Sequence, residues 1–495
     1  MDKKTLNKYY LYLTVFIVGA VILVLEITGT RIVAPFFGTT IFVWSSLIGV
    51  TLMALTAGYF FGGWLSDRKP AAGYLFAVIF ATAIPVFIIQ FISADILKMA
   101  DTLGPKMGSL TGAAALFVLP LLLLGMVSPY AVKISVEELK NTGKTAGLLY
   151  GISTIGSFIG AVSAGFYLIP FLGIRAILDI ITALLIILPA GWYVINGKKW
   201  KAVIMVFAAV LLLLLVFKPR VTANDNFHFK VLCDRQTQYS RIKVIETSNN
   251  YRYLFMDNAL QTIYNTASNE FSIGYISMFE KAVAMMPGAK RALVIGLGGG
   301  GISAVLKKHG LEVDNVEIDP AVADSARDYF GFKDTVIIDD GRHYLRNYNG
   351  KYDLIFLDAY NGFSIYQYLL TKEAFAEMAA ALSPGGILVV NTVGMLKAEG
   401  IIGVIDDKLS MSVVKTISSA FENVITKADV EGICNFVYYA SASLIKHPGG
   451  GIDALPAKGG ELITDDRNCV ENIMSPVIEK WRKQEMKNAG RIFLF

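Results

Sequence analysis

Seven apolar runs occupy the first 217 residues, at about 9–33, 41–65, 72–93, 110–131, 147–171, 176–196 and 202–217. Each comes near the roughly 20 residues an α-helix needs to cross a bilayer, so the pattern predicts seven spans. A polar stretch, Lys-Pro-Arg-Val-Thr-Ala-Asn-Asp-Asn at 218–226, ends the apolar half. Beyond it the period changes to two. Arg241-Ile-Lys-Val-Ile-Glu246 and Tyr251-Arg-Tyr-Leu-Phe-Met256 alternate around Thr-Ser-Asn-Asn, which predicts a β-hairpin.

From residue 290 strand-like and helix-like segments take turns. Strands are expected at about 292–296, 312–317, 335–338, 353–358 and 386–391, with helices near 301–309, 320–329 and 372–382. Such alternation implies a parallel sheet covered on both faces, with ligands at the carboxyl ends of its strands. The expected architecture is a multi-pass α-helical membrane domain (1–217) and a linker with a small β subdomain (218–289). An α/β Rossmann-like, methyltransferase-like domain (290–495) completes it.

The loop charges alternate. Lys3, Lys4 and Lys8, then Arg68 and Lys69, then Lys133, Lys140 and Lys144, then Lys198, Lys199 and Lys201 share one side. The other side has mainly Arg31, Lys98, Lys106 and Arg175. The positive-inside rule then puts the N-terminus in the cytoplasm of a multi-pass cell-membrane protein. The first run could imitate a signal peptide, but no clear small-residue cleavage site follows, so it reads as a retained helix. Seven spans would leave the C-terminal half outside the cell. A re-entrant or miscounted span is the alternative, and the sidedness stays open. Glu26, Arg31 and Asp179 fall in or beside spans and read as either structural pairs or functional charges. Gly58, Gly62 and Gly63 are spaced for close helix packing.

Composition narrows the classes. A chain of 495 residues calls for two or more domains, and 54% hydrophobic residues exceeds an ordinary soluble enzyme. The net charge of +5 is small for this length and sits mostly in short loops, which argues against nucleic acid as a partner. Cys233, Cys434 and Cys469 and four scattered histidines show no zinc-type spacing, so no metal is expected. A Cys434–Cys469 pair is left open.

The chemistry concentrates at strand ends. Arg291-Ala-Leu-Val-Ile-Gly296-Leu-Gly298-Gly-Gly300-Gly301 runs a strand into a glycine turn, and Val316-Glu317-Ile-Asp319 ends the next strand in acid. Glycines let the backbone approach a nucleoside, and a carboxylate there can take ribose hydroxyls. Asp339-Asp340-Gly341 follows the third strand and Asp358 closes the fourth. One such carboxylate is often a helix cap. Three at successive strand ends, beside a glycine loop, indicate a site. The glycines alone fit dinucleotide and S-adenosyl binders equally, whereas the Asp340-Gly341 pair favours a nucleoside whose adenine packs there.

These residues resemble the spermidine synthase (polyamine aminopropyltransferase) family over about 235–395. The family's hairpin motif appears as Tyr239-Ser240-Arg-Ile242 and Met256-Asp257-Asn258-Ala-Leu-Gln261-Thr262, and its glycine loop as Gly296 to Gly301. Its Glu-Ile-Asp stands at 317–319, its Asp-Gly at 340–341, and its catalytic Asp-x-x-Asp-Pro appears as Asp358-Ala-Tyr-Asn361-Gly362. The N-terminal half resembles a membrane-fused branch of the family through Glu26, Arg31, Pro35, Gly38, Trp44 and the Gly58-to-Arg68 segment. The resemblance implies decarboxylated S-adenosylmethionine as co-substrate, an amine such as putrescine as acceptor, and Asp358 as the proton acceptor. It implies Gln261, Gly296, Gly298, Gly300, Gly301, Glu317, Asp319, Asp340 and Gly341 around the nucleoside, and Tyr239 and Asn361 around the amine.

Departures from the family pattern bear on the acceptor. Asn361 replaces a carboxylate, Ser240 a glutamine and Gly299 an aspartate, and Ile273-Gly274-Tyr275 replaces Tyr-His-Glu. Lost negative charge weakens the case for putrescine itself. Tyr360, Phe363, Tyr366 and Tyr368 are expected to pack the loop or meet the bilayer rather than line the acceptor site. Thr464-Asp465-Asp466-Arg467 receives no chemistry. A methyltransferase using intact S-adenosylmethionine, or a transporter with a nucleoside-sensing domain, are the competing readings. The expected partners are the lipid bilayer and a small-molecule amine, with a homodimer left open.

Overall fold

The computed structural model describes residues 2–38, 40–136, 142–201, 203, 205, 229–272, 274–457 and 459–489. The chain divides into two compact units, Met1–Asn226 and Phe227–Phe495. The first consists of helices α1 (Lys3–Phe37), α2 (Ile41–Arg68), α3 (Ala72–Asp101), α4 (Gly104–Gly125), α5 (Val127–Ser135), α6 (Thr142–Ser163) and α7 (Ile169–Ile195). Among the described residues, five helical stretches are long and apolar enough to cross a membrane, the last being Thr142–Ile195.

That last stretch changes the expected arrangement. It joins the runs at 147–171 and 176–196 through a π-helical turn at Ala164–Leu168 into 54 residues. A straight helix of that length would be about 80 Å long, more than twice the hydrocarbon thickness of a bilayer. Gly173, at φ 76° and ψ 163°, breaks it between the two runs. The expected seventh run at 202–217, apart from Val203 and Met205, and the linker at 218–226 lie outside the described residues.

Small residues let these helices touch backbone to backbone. A Cβ on Gly58 or Gly62 would collide with the α4 end at Leu122–Met126, whereas one on Gly63 would meet nothing within 4 Å. Two of the three expected packing glycines therefore act at the interface and the third does not. Gln90 Nε2 donates to Asp179 Oδ1 at 3.1 Å, which ties α3 to α7 and supports a structural reading of Asp179.

The second unit opens with an antiparallel five-stranded sheet: β1 (Phe229–Gln236), β2 (Arg241–Thr247), β3 (Tyr251–Met256), β4 (Ala259–Asn265) and β5 (Glu270–Phe271). The expected hairpin is β2–β3. Helix α8 (Gly274–Met285) leads into β6 (Arg291–Ile295), α9 (Gly301–Lys308), β7 (Glu312–Glu317), α10 (Pro320–Phe330), β8 (Ile337–Ile338), α11 (Gly341–Asn347) and β9 (Tyr352–Leu357). A two-residue pair, β10 (Tyr360–Asn361) and β11 (Ser364–Ile365), precedes α12 (Lys372–Ala381) and β12 (Leu382–Glu399). The chain closes with β13 (Ile402–Ile405), α13 (Lys408–Ile417), β14 (Asn423–Ala428), β15 (Gly432–Ser441), β16 (Ile452–Leu455) and α14 (Val470–Ala489).

The large sheet has nine strands in the order β13-β16-β14-β15-β12-β9-β6-β7-β8. It is parallel from β12 to β8 and again between β16 and β13, but antiparallel at β12–β15, β15–β14, β14–β16 and β12–β13, which corrects the expectation of a parallel sheet. The short connection between β14 and β15 makes them an antiparallel hairpin, and β15 then pairs antiparallel with β12. Both faces are covered. Leu293 and Ile295 of β6 and Ile355 and Leu357 of β9 enter one core, while Ala292, Val294, Leu354 and Phe356 enter the other. Burial on both faces is why these strands read as continuous apolar runs. Cys233, Cys434 and Cys469 are free thiols, so the open Cys434–Cys469 pair is absent.

Candidate active site

The carboxyl ends of β6, β7, β8 and β9 converge on one cavity. After β6 the backbone runs through Gly296, Gly298 and Gly300 with φ of 91°, 52° and 88°, a left-handed path that side chains rarely adopt. A Cβ on Gly296 would also strike the Asp358 carbonyl, so the loop and the end of β9 can meet only through glycine. Thr262 Oγ1 of β4 accepts the Gly299 N–H at 2.9 Å and anchors the loop to the small sheet.

Glu317 lines this cavity and is held by the loop itself. The Leu297 N–H donates to its Oε2 at 2.9 Å and the Asp319 N–H to its Oε1 at 3.0 Å. Burial outweighs these bonds and pushes its carboxyl up to about 7. Asp340 also lines the cavity while capping α11, its Oδ1 accepting the N–H groups of Arg342 and His343. Its Oδ2 accepts the Tyr368 hydroxyl at 2.9 Å. Gly341 sits below it, where a Cβ would press 2.5 Å from Ile295 Cγ2.

Asp358 is half-buried at the end of β9. Asn391 Nδ2 donates to its Oδ1 at 2.9 Å and the Tyr275 hydroxyl to its Oδ2 at 2.8 Å. Burial lifts this carboxyl above the usual carboxylate range despite both donors. A second chamber, of about 230 Å³, opens on its far side between β12, β15 and α14. Asp358, Gln261, Tyr275 and Tyr360 line both spaces. This carboxylate therefore stands where two cavities meet.

Most of the expected site residues are brought together: Gln261, Gly296, Gly298, Gly301, Glu317, Asp340, Gly341 and Asp358 all line the first cavity. Three are placed differently, and the fourth, Asn361, is described by its backbone alone. Asp319 does not line it, because its Oδ1 caps α10 at the Ala321 N–H and its Oδ2 accepts Thr237 Oγ1 at 2.6 Å. Gly300 instead turns the chain into α9 against the Phe332 ring. Tyr239, expected near the amine, lies beside Asp319, Asp340 and Glu317, which together with burial raise its hydroxyl pKa. Asn361 pairs with Ser364 through β10 and β11, and its side chain lies outside the described residues.

The aromatic loop divides. Tyr360 accepts the Val393 N–H at 2.7 Å, and it and Phe363 pack edge-on against Trp481, as expected of packing residues, but Tyr360 also lines both cavities, contrary to expectation. Tyr366 and Tyr368 line the first cavity as well, contrary to expectation. Sequence reading also passed over Asn391 and gave Tyr275 no role. Asn391 ends the strand expected at 386–391, so the strand-end rule that selected Asp358 would have found it. Asp465 accepts two bonds from Arg342, both at 2.7 Å, and so braces α11 below Asp340.

Charge on the first cavity is one-sided. Glu317, Asp339, Asp340 and Asp358 line it, and among the described residues no lysine or arginine does. Such a site suits a cationic nucleoside and disfavours a ligand that brings its own carboxylate.

Residues 273–437 match the spermine/spermidine synthase domain. The polyamine aminopropyltransferase of Clostridium beijerinckii is 32% identical over 181 residues, covering 34% of this chain and 62% of that protein. That of Thermoplasma volcanium is 30% identical over 191 residues, covering 35% and 67%. The chain thus spans about three fifths of the first relative's length. Among solved structures, the spermidine synthase of Thermotoga maritima aligns with a TM-score of 0.37 at 18% identity, covering 56% of this chain and 99% of that one.

Proposed function

The chain belongs to the spermine/spermidine synthase family, and from that premise we propose that it transfers the aminopropyl group of decarboxylated S-adenosylmethionine to an amine. The observation that carries this reading is Asp358, placed between the glycine-loop cavity and the second chamber. The nucleoside occupies the first space, with Glu317 on its ribose, Asp340 near its adenine, and the glycine loop and Gln261 around it. The amine enters from the second.

An alkylammonium has a pKa near that of lysine, about 10.4, and cannot attack until it loses a proton. Asp358 accepts that proton, and its raised pKa makes it the stronger base. The freed nitrogen lone pair attacks the methylene carbon next to the sulfonium. A new C–N bond forms, the C–S bond breaks, and its electrons neutralise sulfur as methylthioadenosine leaves. The acidic cavity favours this donor over intact S-adenosylmethionine, whose extra carboxylate would lie among four others. We assign the apolar N-terminal helices to a bilayer anchor.

Full-length protein that stays in the membrane pellet after an alkaline wash, and is released by detergent, should liberate methylthioadenosine from decarboxylated S-adenosylmethionine plus an amine. No release with any polyamine would end the proposal.

Glu317 sets a pH dependence. Burial pushes its carboxyl up to about 7, above the ordinary carboxylate value, so below that pH the group is protonated. Ribose hydroxyls need the anion as acceptor, and binding them must then expel the proton. Affinity for methylthioadenosine is expected to weaken by up to about tenfold per pH unit below 7 and to be flat above it. Calorimetry across pH 5.5–8.5 reads this directly. A Glu317→Gln protein that keeps the wild-type slope would remove Glu317 from the ribose.

A further inference from the structure

We infer that Tyr368 is a positioning residue for the nucleoside. Its hydroxyl fixes the plane of the Asp340 carboxylate, so the pair offers acceptors to the amino group of a 6-aminopurine and no proton to a 6-oxopurine. This rests on the transferase reading and adds to its nucleoside side a residue outside the motifs that located the site.

Asp340 is held at two points of different origin. As the cap of α11, its Oδ1 accepts the backbone N–H groups of Arg342 at 2.9 Å and His343 at 3.0 Å. An aspartate carboxyl turns easily about its last torsion, so one anchored oxygen leaves the other loosely placed. The Tyr368 hydroxyl donates to Oδ2 at 2.9 Å and supplies the second point. Among the described residues it is the only side chain that donates to Asp340. The neighbouring carboxylate, Asp339, has its own partner in His343 Nδ1, at 2.8 and 2.9 Å.

Tyr368 is itself fixed. Its carbonyl accepts Arg342 Nη1 at 3.1 Å, and its ring centroid lies 5.8 Å from that of Tyr366, which lines the same cavity. Burial and the adjacent Asp340 charge raise its hydroxyl pKa, so it keeps its proton and donates it to the carboxylate. That leaves only lone pairs, on Oδ2 and on the Tyr368 oxygen, to face a ligand. An exocyclic amino group brings N–H donors to them. A 6-oxo group brings another acceptor, which the pair can satisfy only by taking the Tyr368 proton away from Asp340. Sites built to bond a substrate N–H reject analogues that lack it, because polar atoms of the pocket are then left unpaired.

The test compares methylthioadenosine with methylthioinosine, which carries a 6-oxo group in place of the 6-amino group. Binding of each to the full-length protein in detergent is measured by calorimetry. The wild type is expected to prefer the amino compound by at least about 100-fold. Tyr368→Phe keeps the ring and the carbonyl that Arg342 holds, and removes only the hydroxyl. It should weaken methylthioadenosine by about 3- to 10-fold, the worth of one hydrogen bond, and leave methylthioinosine as it was, so the preference narrows by that factor. Asp340→Asn keeps the Oδ1 acceptor that caps α11 and turns the second oxygen into a donor. Adding Tyr368→Phe to it should change the preference no further, since the hydroxyl then has no carboxylate to hold. Equal losses for both nucleosides, an unchanged preference in Tyr368→Phe, or a full further loss in the double variant would overturn the assignment. Turnover with decarboxylated S-adenosylmethionine and an amine is scored separately. Transfer with an unchanged preference in Tyr368→Phe leaves the transferase reading standing, whereas a narrowed preference without any transfer leaves only the role of Tyr368.

Discussion

Asp358→Asn is expected to lower kcat by about 10²- to 10⁴-fold, the usual worth of a positioned proton acceptor, while methylthioadenosine still binds. The substitution is close to isosteric. Asn391 Nδ2 can keep donating to the remaining carbonyl oxygen, and the Tyr275 hydroxyl can rotate to accept from the new amide. What disappears is the base. The wild-type rate should fall as the pH drops through the raised pKa of Asp358, because the protonated acid cannot take the amine's proton. The residual rate of the variant should lack that inflection and rise with the fraction of free amine. Single-turnover release of methylthioadenosine, followed against pH, measures both. Wild-type rates in Asp358→Asn would remove this residue from the chemistry.

The largest effect on stability is expected at Arg342. Its guanidinium donates to Glu377 at 2.9 and 3.1 Å, to Asp465 twice at 2.7 Å and to the Tyr368 carbonyl at 3.1 Å. The side chain is only 8% exposed, so Arg342→Met leaves two carboxylates facing each other without their cation. Breaking a buried pair in this way costs about 3–5 kcal/mol, and the partial exposure of Glu377 and Asp465 points to the lower end. A loss of about 3 kcal/mol corresponds to roughly 6–12 °C in Tm for a unit of this size. Lysine should restore little, because a point charge cannot make the forked contacts.

The same pair carries an acid dependence. Arg342 holds the Asp465 carboxyl below its ordinary value, so its contribution is full at neutral pH. It is lost as the pH falls from that ordinary value through the lowered one. Thermal melts of the detergent-solubilised protein at pH 7 and pH 3.5 should differ less in Arg342→Met than in the wild type. A variant as stable as the wild type at neutral pH would refute the bracing role. Since Arg342 also fixes the Tyr368 carbonyl, and Tyr368 bonds Asp340, nucleoside affinity should weaken with it.

Local sequence was informative wherever the requirement was local. The runs at 292–296 and 353–358 predicted strands covered on both faces, found at Arg291–Ile295 and Tyr352–Leu357, and Gly296 to Gly301 marked a backbone path closed to side chains. Acidic residues at strand ends located Glu317, Asp340 and Asp358 because a parallel sheet opens its crevice there. The same rule overreached at Asp319, since a carboxylate just past a strand can equally cap the next helix. It could not divide the aromatic loop, because Tyr360 and Tyr366 look alike until their neighbours are known.

By itself the chain therefore determined an apolar helical half, a glycine-turned crevice and the carboxylate at its edge. Each depends on periodicity or on backbone freedom within a few residues. Only the tertiary structure decided that Tyr275 and Asn391 hold Asp358, that β14 and β15 return antiparallel, and that Asp429 and Trp481 wall a second chamber. Those contacts join segments far apart in sequence. Hydrogen bonds and burial act over a few ångströms of space, and no local pattern records which distant residues will meet there.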